Sequence, residues 1–172
     1  DIELLIERDI DDNGIRIIKG QVENVVGQFD LITLHHSLEH IPDQFGTLQA
    51  VRSRLAQNGH CLIRVPLVSS LVWDMYGTDW VELDAPRHLY LHSRNSLTAL
   101  ASRVGLELIK TTWDSSAFEF YGSEQYRRGL PLVAENSYWI DPSRSDFTFR
   151  EMAEFSELAS KANREERGGR GC

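Results

Sequence analysis

Apolar positions along the chain fall into short runs and helical stripes divided by turn residues. Leu31, Ile32 and Leu34, with β-branched Thr33 among them, make an unbroken run that predicts a buried strand of a parallel sheet. Residues 1–6 and 15–19 are rich in Ile and Leu and predict two further strands, divided by the turn signal Asp11-Asp12-Asn13-Gly14. Gly20 ends the second of them, and residues 21–28 form a connector whose Val22, Val25 and Val26 are expected to pack. Downstream, Phe45, Leu48, Val51 and Leu55 recur at helical spacing, with Asp43 placed to cap the start and Asn58-Gly59 to stop it. Residues 60–68 then predict another buried strand with Pro66 near its end.

The second half is less regular. Residues 69–92 carry Trp73, Tyr76, Trp80 and Tyr90 without a clear period, which predicts a long ordered loop, a substrate pocket or a small core of its own. Ser93 caps a helix whose Leu97, Leu100, Ala101 and Val104 share one face, with Gly105 just past its end. Residues 106–113 predict a strand, and residues 117–126 a strand or an ordered loop. Residues 149–162 can form a helix with Met152 and Phe155 on its apolar face, and the Gly- and Arg-rich residues 164–172 are expected to be disordered. The pattern is that of an α/β protein.

Composition narrows the function classes. The 172 residues are 41% hydrophobic and 26% charged, as in soluble globular domains. The net charge of −8, with basic residues clustered only in the tail, argues against nucleic acid or an anionic membrane as partner. No apolar run approaches the roughly 18 residues of a membrane helix. Two cysteines, Cys61 and Cys172, make neither a disulfide framework nor a zinc motif, so a cytoplasmic setting is the simplest expectation.

The chemistry concentrates where the central strand ends. His35, His36, Glu39 and His40 follow it within six residues, and open α/β sheets bind ligands beyond the carboxyl ends of their strands. His36-Ser37-Leu38-Glu39-His40 also spells a zinc-peptidase pattern, but that chemistry needs a long helix, and Pro42 leaves room for about one turn. A metal-dependent hydrolase using His36, Glu39 and His40 is therefore a remote alternative. These residues are read instead as a hydrogen-bond network shaping the loop, and no metal ligand is assigned.

Four stretches together carry a family resemblance: Phe29-Asp30-Leu31-Ile32, Leu38-Glu39-His40-Ile41-Pro42-Asp43, the helix ending at Asn58-Gly59, and the strand from Cys61 to Pro66. Asp84-Ala85-Pro86-Arg87-His88-Leu89 followed by His92-Ser93 adds to them. The chain resembles a class I S-adenosylmethionine-dependent methyltransferase of the ubiquinone-type O-methyltransferase kind. The resemblance implies a Rossmann-like, mostly parallel sheet flanked by helices. It covers residues 1–132 as the C-terminal portion of a methyltransferase domain, with residues 133–163 a helical extension. No Gly-x-Gly lies upstream of Glu3, so the fold is expected to miss its first strand–helix unit.

The implied activity is methyl transfer from S-adenosylmethionine to an oxygen or nitrogen of a small molecule. The alternative is a non-catalytic module that binds a ligand or partner through the same cleft. By the resemblance, Glu3 holds the ribose hydroxyls of the cofactor, Gln21 and Val22 meet its adenine, and His35 lies beside its methionine end. Gln21 stands where the family usually has an acid. His36 and His88 are the candidate general bases, because an imidazole can take a proton near neutral pH.

Overall fold

The central strand β3 (Phe29–His35) runs parallel to β4 (Leu55–Pro66), with Leu31 opposite His60, Thr33 opposite Leu62 and His35 opposite Arg64. This is a computed structural model describing residues 20–171 and, before them, the backbone of two short strands, β1 (Arg8–Ile10) and β2 (Ile15–Ile17). Those two pair with each other as an antiparallel hairpin, so residues 15–17 are a strand, as expected, but in a sheet of their own. The expected strand over residues 1–6, the turn at residues 11–14 and Glu3 lie outside the described residues.

Alternation of side chains across β3 divides its residues between two faces. Ile32 and Leu34 turn toward a core shared with Leu38, Leu48, Val51, Val65 and Leu67. Leu31, Thr33 and His35 turn the other way and are exposed. The apolar run predicts a strand buried on both faces, whereas among the described residues only one face is covered.

Helix α1 (Gln44–Arg54) starts as expected, with the Asp43 carboxylate accepting from the Gly46 N–H at 2.9 Å. It stops earlier than expected. Leu55 is already extended and opens β4, while the Arg54 guanidinium reaches back to the carbonyls of Val25 and Glu23. Gly59 serves the strand instead: a Cβ there would sit 2.8 Å from the Phe29 carbonyl oxygen, beside the shift in register between Phe29 and Leu31. Helix α3 (Arg94–Arg103) carries the expected Ser93 cap, completed by Ser96 into a capping box. Leu97, Leu100 and Val104 pack against the sheet core.

Residues 69–92 are more structured than their pattern predicts. They contain helix α2 (Leu71–Tyr76) and two 3-10 turns, Gly77–Asp79 and Val81–Leu83. Tyr76 and Trp80 are buried with Val72, so they form a core and do not line a substrate pocket. That second core is completed by α4 (Ala117–Arg127) and α5 (Phe149–Arg164). Residues 117–126, expected as strand or loop, are therefore helical. Residues 106–113 form no strand. Leu108 and Ile109 are exposed there, and only Trp113 bridges, to Gly171.

The tail expected to be disordered is packed. Strand β5 (Arg170–Gly171) pairs antiparallel with Val65 and Pro66 of β4, and the Gly169 carbonyl accepts from the Leu67 N–H at 2.8 Å. Gly169 itself donates to Ser115 Oγ at 2.6 Å, and the Asn163 side chain bonds both the N–H and the carbonyl of Ser115. The Arg170 Nε lies 2.5 Å from the fully buried Glu119 carboxylate. The glycines here allow close packing.

Candidate functional site

At its carboxyl end β3 turns sharply, because His36 adopts a left-handed conformation (φ 46°) while its N–H still bonds the Arg64 carbonyl at 2.9 Å. The 3-10 turn Leu38–His40 follows and buries Glu39, which is 1% exposed. The downstream loop docks onto this turn: Leu89 and Tyr90 donate their N–H groups to the Glu39 carbonyl at 2.9 and 3.3 Å. Tyr90 Oη reaches the Pro42 carbonyl at 2.9 Å. Main-chain bonding thus brings two distant stretches of sequence to one place.

Glu39 is the hub of the site. His36 Nδ1 lies 3.3 Å from its Oε1 and His88 Nε2 4.0 Å from the same oxygen. Burial pushes the Glu39 pKa up, but the hydrogen bond from His36, its own N–H and the nearby imidazoles outweigh burial and hold it below the usual glutamate value. The two candidate bases are therefore brought together around one carboxylate, which the sequence does not reveal.

Both imidazoles are tied into the fold through a ring nitrogen. The Arg64 guanidinium closes on His36 Nε2, and guanidinium only donates, so that nitrogen's lone pair is taken and Nδ1 carries the proton toward Glu39. Arg64 is itself held by Asp114, whose Oδ2 lies 2.6 Å from its Nε. His88 is anchored through Nδ1 to the Glu82 carbonyl at 2.7 Å, its side chain only 6% exposed, with Nε2 turned toward Glu39 and toward Asp84 Oδ2 at 3.9 Å. Arg64 and Asp114 are site residues that the sequence pattern does not single out, while Asp84 opens the motif that carries His88.

The cofactor candidates are disposed differently. Gln21 is exposed at the start of the 3-10 turn Val22–Asn24, and Val22 packs beneath it against the sheet core. Glu23 of that turn accepts from Thr47 Oγ1 of α1 at 3.1 Å, which fixes the connector beside the sheet. His35 is exposed on the open face of β3, in register with Arg64, its ring edge-on to His36 with centroids 5.0 Å apart.

A family model described as a methyltransferase domain matches residues 5–111. The chain belongs to this methyltransferase domain family. Its two strands β3 and β4, the turn bearing Glu39 and the loop bearing His88 all fall inside the matched stretch. A search of curated proteins finds no match.

Two solved structures share the methyltransferase fold with this chain. One is a candidate sarcosine dimethylglycine methyltransferase from Galdieria sulphuraria, 16% identical with a TM-score of 0.51 over 93% of this chain. The other is a SAM-dependent methyltransferase from Archaeoglobus fulgidus, 15% identical with a TM-score of 0.51, again over 93% of this chain. The chain spans 58% and 66% of their lengths respectively. The likeness fits the mixed architecture, a small mostly parallel sheet flanked by helices. Among the described residues no helix is long and apolar enough to cross a membrane.

Proposed function

We propose that this chain forms part of an S-adenosylmethionine-dependent methyltransferase acting on an oxygen or nitrogen atom of a small molecule. The observation that carries the reading is the membership of residues 5–111 in a methyltransferase domain family, joined to a polar cluster at the carboxyl ends of β3 and β4 where such sheets take their ligands. The described residues suit the cofactor by their chemistry. The exposed Gln21 amide offers an acceptor and a donor to an adenine edge, where a carboxylate would offer acceptors alone. Val22 gives that edge an apolar flank, and Glu3 is the proposed partner of the ribose hydroxyls.

The cofactor supplies an electrophilic methyl carbon on a sulfonium. The chain's own residues then have to align the acceptor and receive its proton. His36 is clamped between Arg64 and Glu39, so its part in this proposal is to fix the end of β3. His35 is the exposed imidazole of that strand end and is the proposed proton acceptor. Without a disulfide framework in the sequence, a reducing, cytoplasmic compartment accords with this reading.

Calorimetric titration of S-adenosylhomocysteine into the protein, repeated with Glu3→Ala and Gln21→Ala, tests the proposal. Micromolar binding that both variants weaken is expected. A folded protein that does not bind it would overturn catalysis by this chain and leave the alternative of a ligand-binding module.

A further inference from the structure

We propose that Glu39, His40 and His88 form a binding site for one divalent transition-metal ion of the zinc type. Each contributes one ligand atom, and these three atoms lie within 4.8 Å of one another. The residues come from the turn after β3 and from the loop docked on it, so the site exists only in the folded chain.

Both imidazoles are oriented as metal ligands are. His40 Nδ1 lies 2.8 Å from the Arg87 carbonyl, and His88 Nδ1 lies 2.7 Å from the Glu82 carbonyl. A carbonyl oxygen only accepts, so both Nδ1 atoms carry protons and both Nε2 atoms keep lone pairs. Anchoring one ring nitrogen to a carbonyl is how proteins fix the tautomer and direction of a ligating histidine. The two rings meet edge-on with centroids 4.8 Å apart.

An independent observation comes from the carboxylate. Glu39 is almost fully buried, yet its Oε2 has no hydrogen-bond partner among the described residues. Buried carboxylate oxygens are costly to leave unpaired, and a cation bound by the neighbouring imidazoles would satisfy this one. His36, which the sequence spacing groups with Glu39 and His40, is excluded because its Nε2 lone pair faces Arg64. The fold substitutes His88 for it.

Two imidazole nitrogens and one carboxylate oxygen suit zinc and its neighbours, whereas magnesium and calcium prefer oxygen alone. Zinc–ligand distances of about 2.0–2.2 Å require the three atoms to draw together by roughly an ångström, and the exposed His40 has the freedom to move. Asp84 Oδ2, 3.9 Å from His88 Nε2, is the candidate fourth ligand. A bound ion would tie the loop bearing Asp84, Arg87 and His88 to the end of β3. The site stands on these donors and does not depend on what the chain methylates.

The test is calorimetric titration of zinc chloride into protein freed of metal by a chelator, near neutral pH. One equivalent bound at micromolar affinity or tighter is expected, with excess magnesium failing to compete. His40→Ala and His88→Ala should each weaken binding about tenfold or more, and His60→Ala, exposed on β4, should leave it unchanged. Since His88 is buried and its replacement can unfold the chain, the exposed His40→Ala, checked by circular dichroism, decides the matter. No zinc binding by the folded protein, or binding that His40→Ala leaves intact, overturns the site. Loss of S-adenosylhomocysteine binding with zinc binding retained would count against the methyltransferase reading alone.

Discussion

Arg64 donates its guanidinium N–H to Nε2 of His36 and so decides which nitrogen of that imidazole carries the proton. The consequence is that Nδ1 is the nitrogen that donates to Glu39. Nitrogen-15 NMR of the imidazole should show this single tautomer. In Arg64→Leu the lone pair is released and both tautomers should appear. A tautomer unchanged by that substitution would mean that Glu39 alone orients the ring.

The Glu119–Arg170 pair fastens the tail to α4. Glu119 is fully buried, accepting from Ser115 Oγ at 2.8 Å and from Arg170, which is itself close to Glu82. Removing one partner of such a pair leaves an uncompensated buried charge, a cost of about 3–5 kcal/mol. Arg170→Met should lower stability by that order in denaturant unfolding. Combining it with Glu119→Leu should recover most of the loss, because an apolar pair of similar volume replaces the ions. Equal losses in the single and double variants would show that the Arg170 side chain stabilises through its other partners, Ser116 Oγ and Glu82.

Gly169 lies where a side chain has no room. A Cβ there would come within 2.5 Å of Glu119 Oε2 and 2.6 Å of Val72 Cγ1. Gly169→Ala should therefore cost about 1–3 kcal/mol through overpacking. Gly20→Ala, with nothing within 4 Å of the added carbon, should stay within about 0.5 kcal/mol of the parent. Thermal unfolding of both variants checks the contrast.

How much of this was legible in the sequence follows from which forces are local. The caps at Asp43 and Ser93 and the stripe of α1 depend on neighbouring residues, and they stand where the pattern puts them. Helix α4 was hidden because Glu119, Ser123, Glu124 and Gln125 are buried polar residues, which erase the apolar stripe. Ser116 stands at the N-cap of α4 without a side-chain cap hydrogen bond, and Glu119 spends its carboxylate on Arg170. The tail was misread for a related reason: glycine-rich composition signals flexibility only when nothing packs against it. His35 and His36 were readable as a strand-end cluster, but their partners Arg64, Asp114 and His88 arrive through strand register and loop docking, which a linear pattern does not carry.

His92 joins the docked loop to α1, and its protonation should couple to stability. Its Nε2 lies 3.0 Å from Gln44 Oε1, and Gln44 Nε2 donates to the Leu38 carbonyl at 2.7 Å. Burial lowers the His92 pKa below the ordinary histidine value, with the nearby Glu39 charge opposing it. The unfolded chain then binds a proton at a higher pH than the folded one does. Stability is full above the unfolded value of about 6.5 and declines as pH falls from there through the lower folded value, by the linkage of proton binding to unfolding. In His92→Gln this part of the dependence should vanish, so the difference in melting temperature between variant and parent narrows as the pH is lowered through that window. A difference that stays constant across it would show that His92 acts through packing and hydrogen bonding alone.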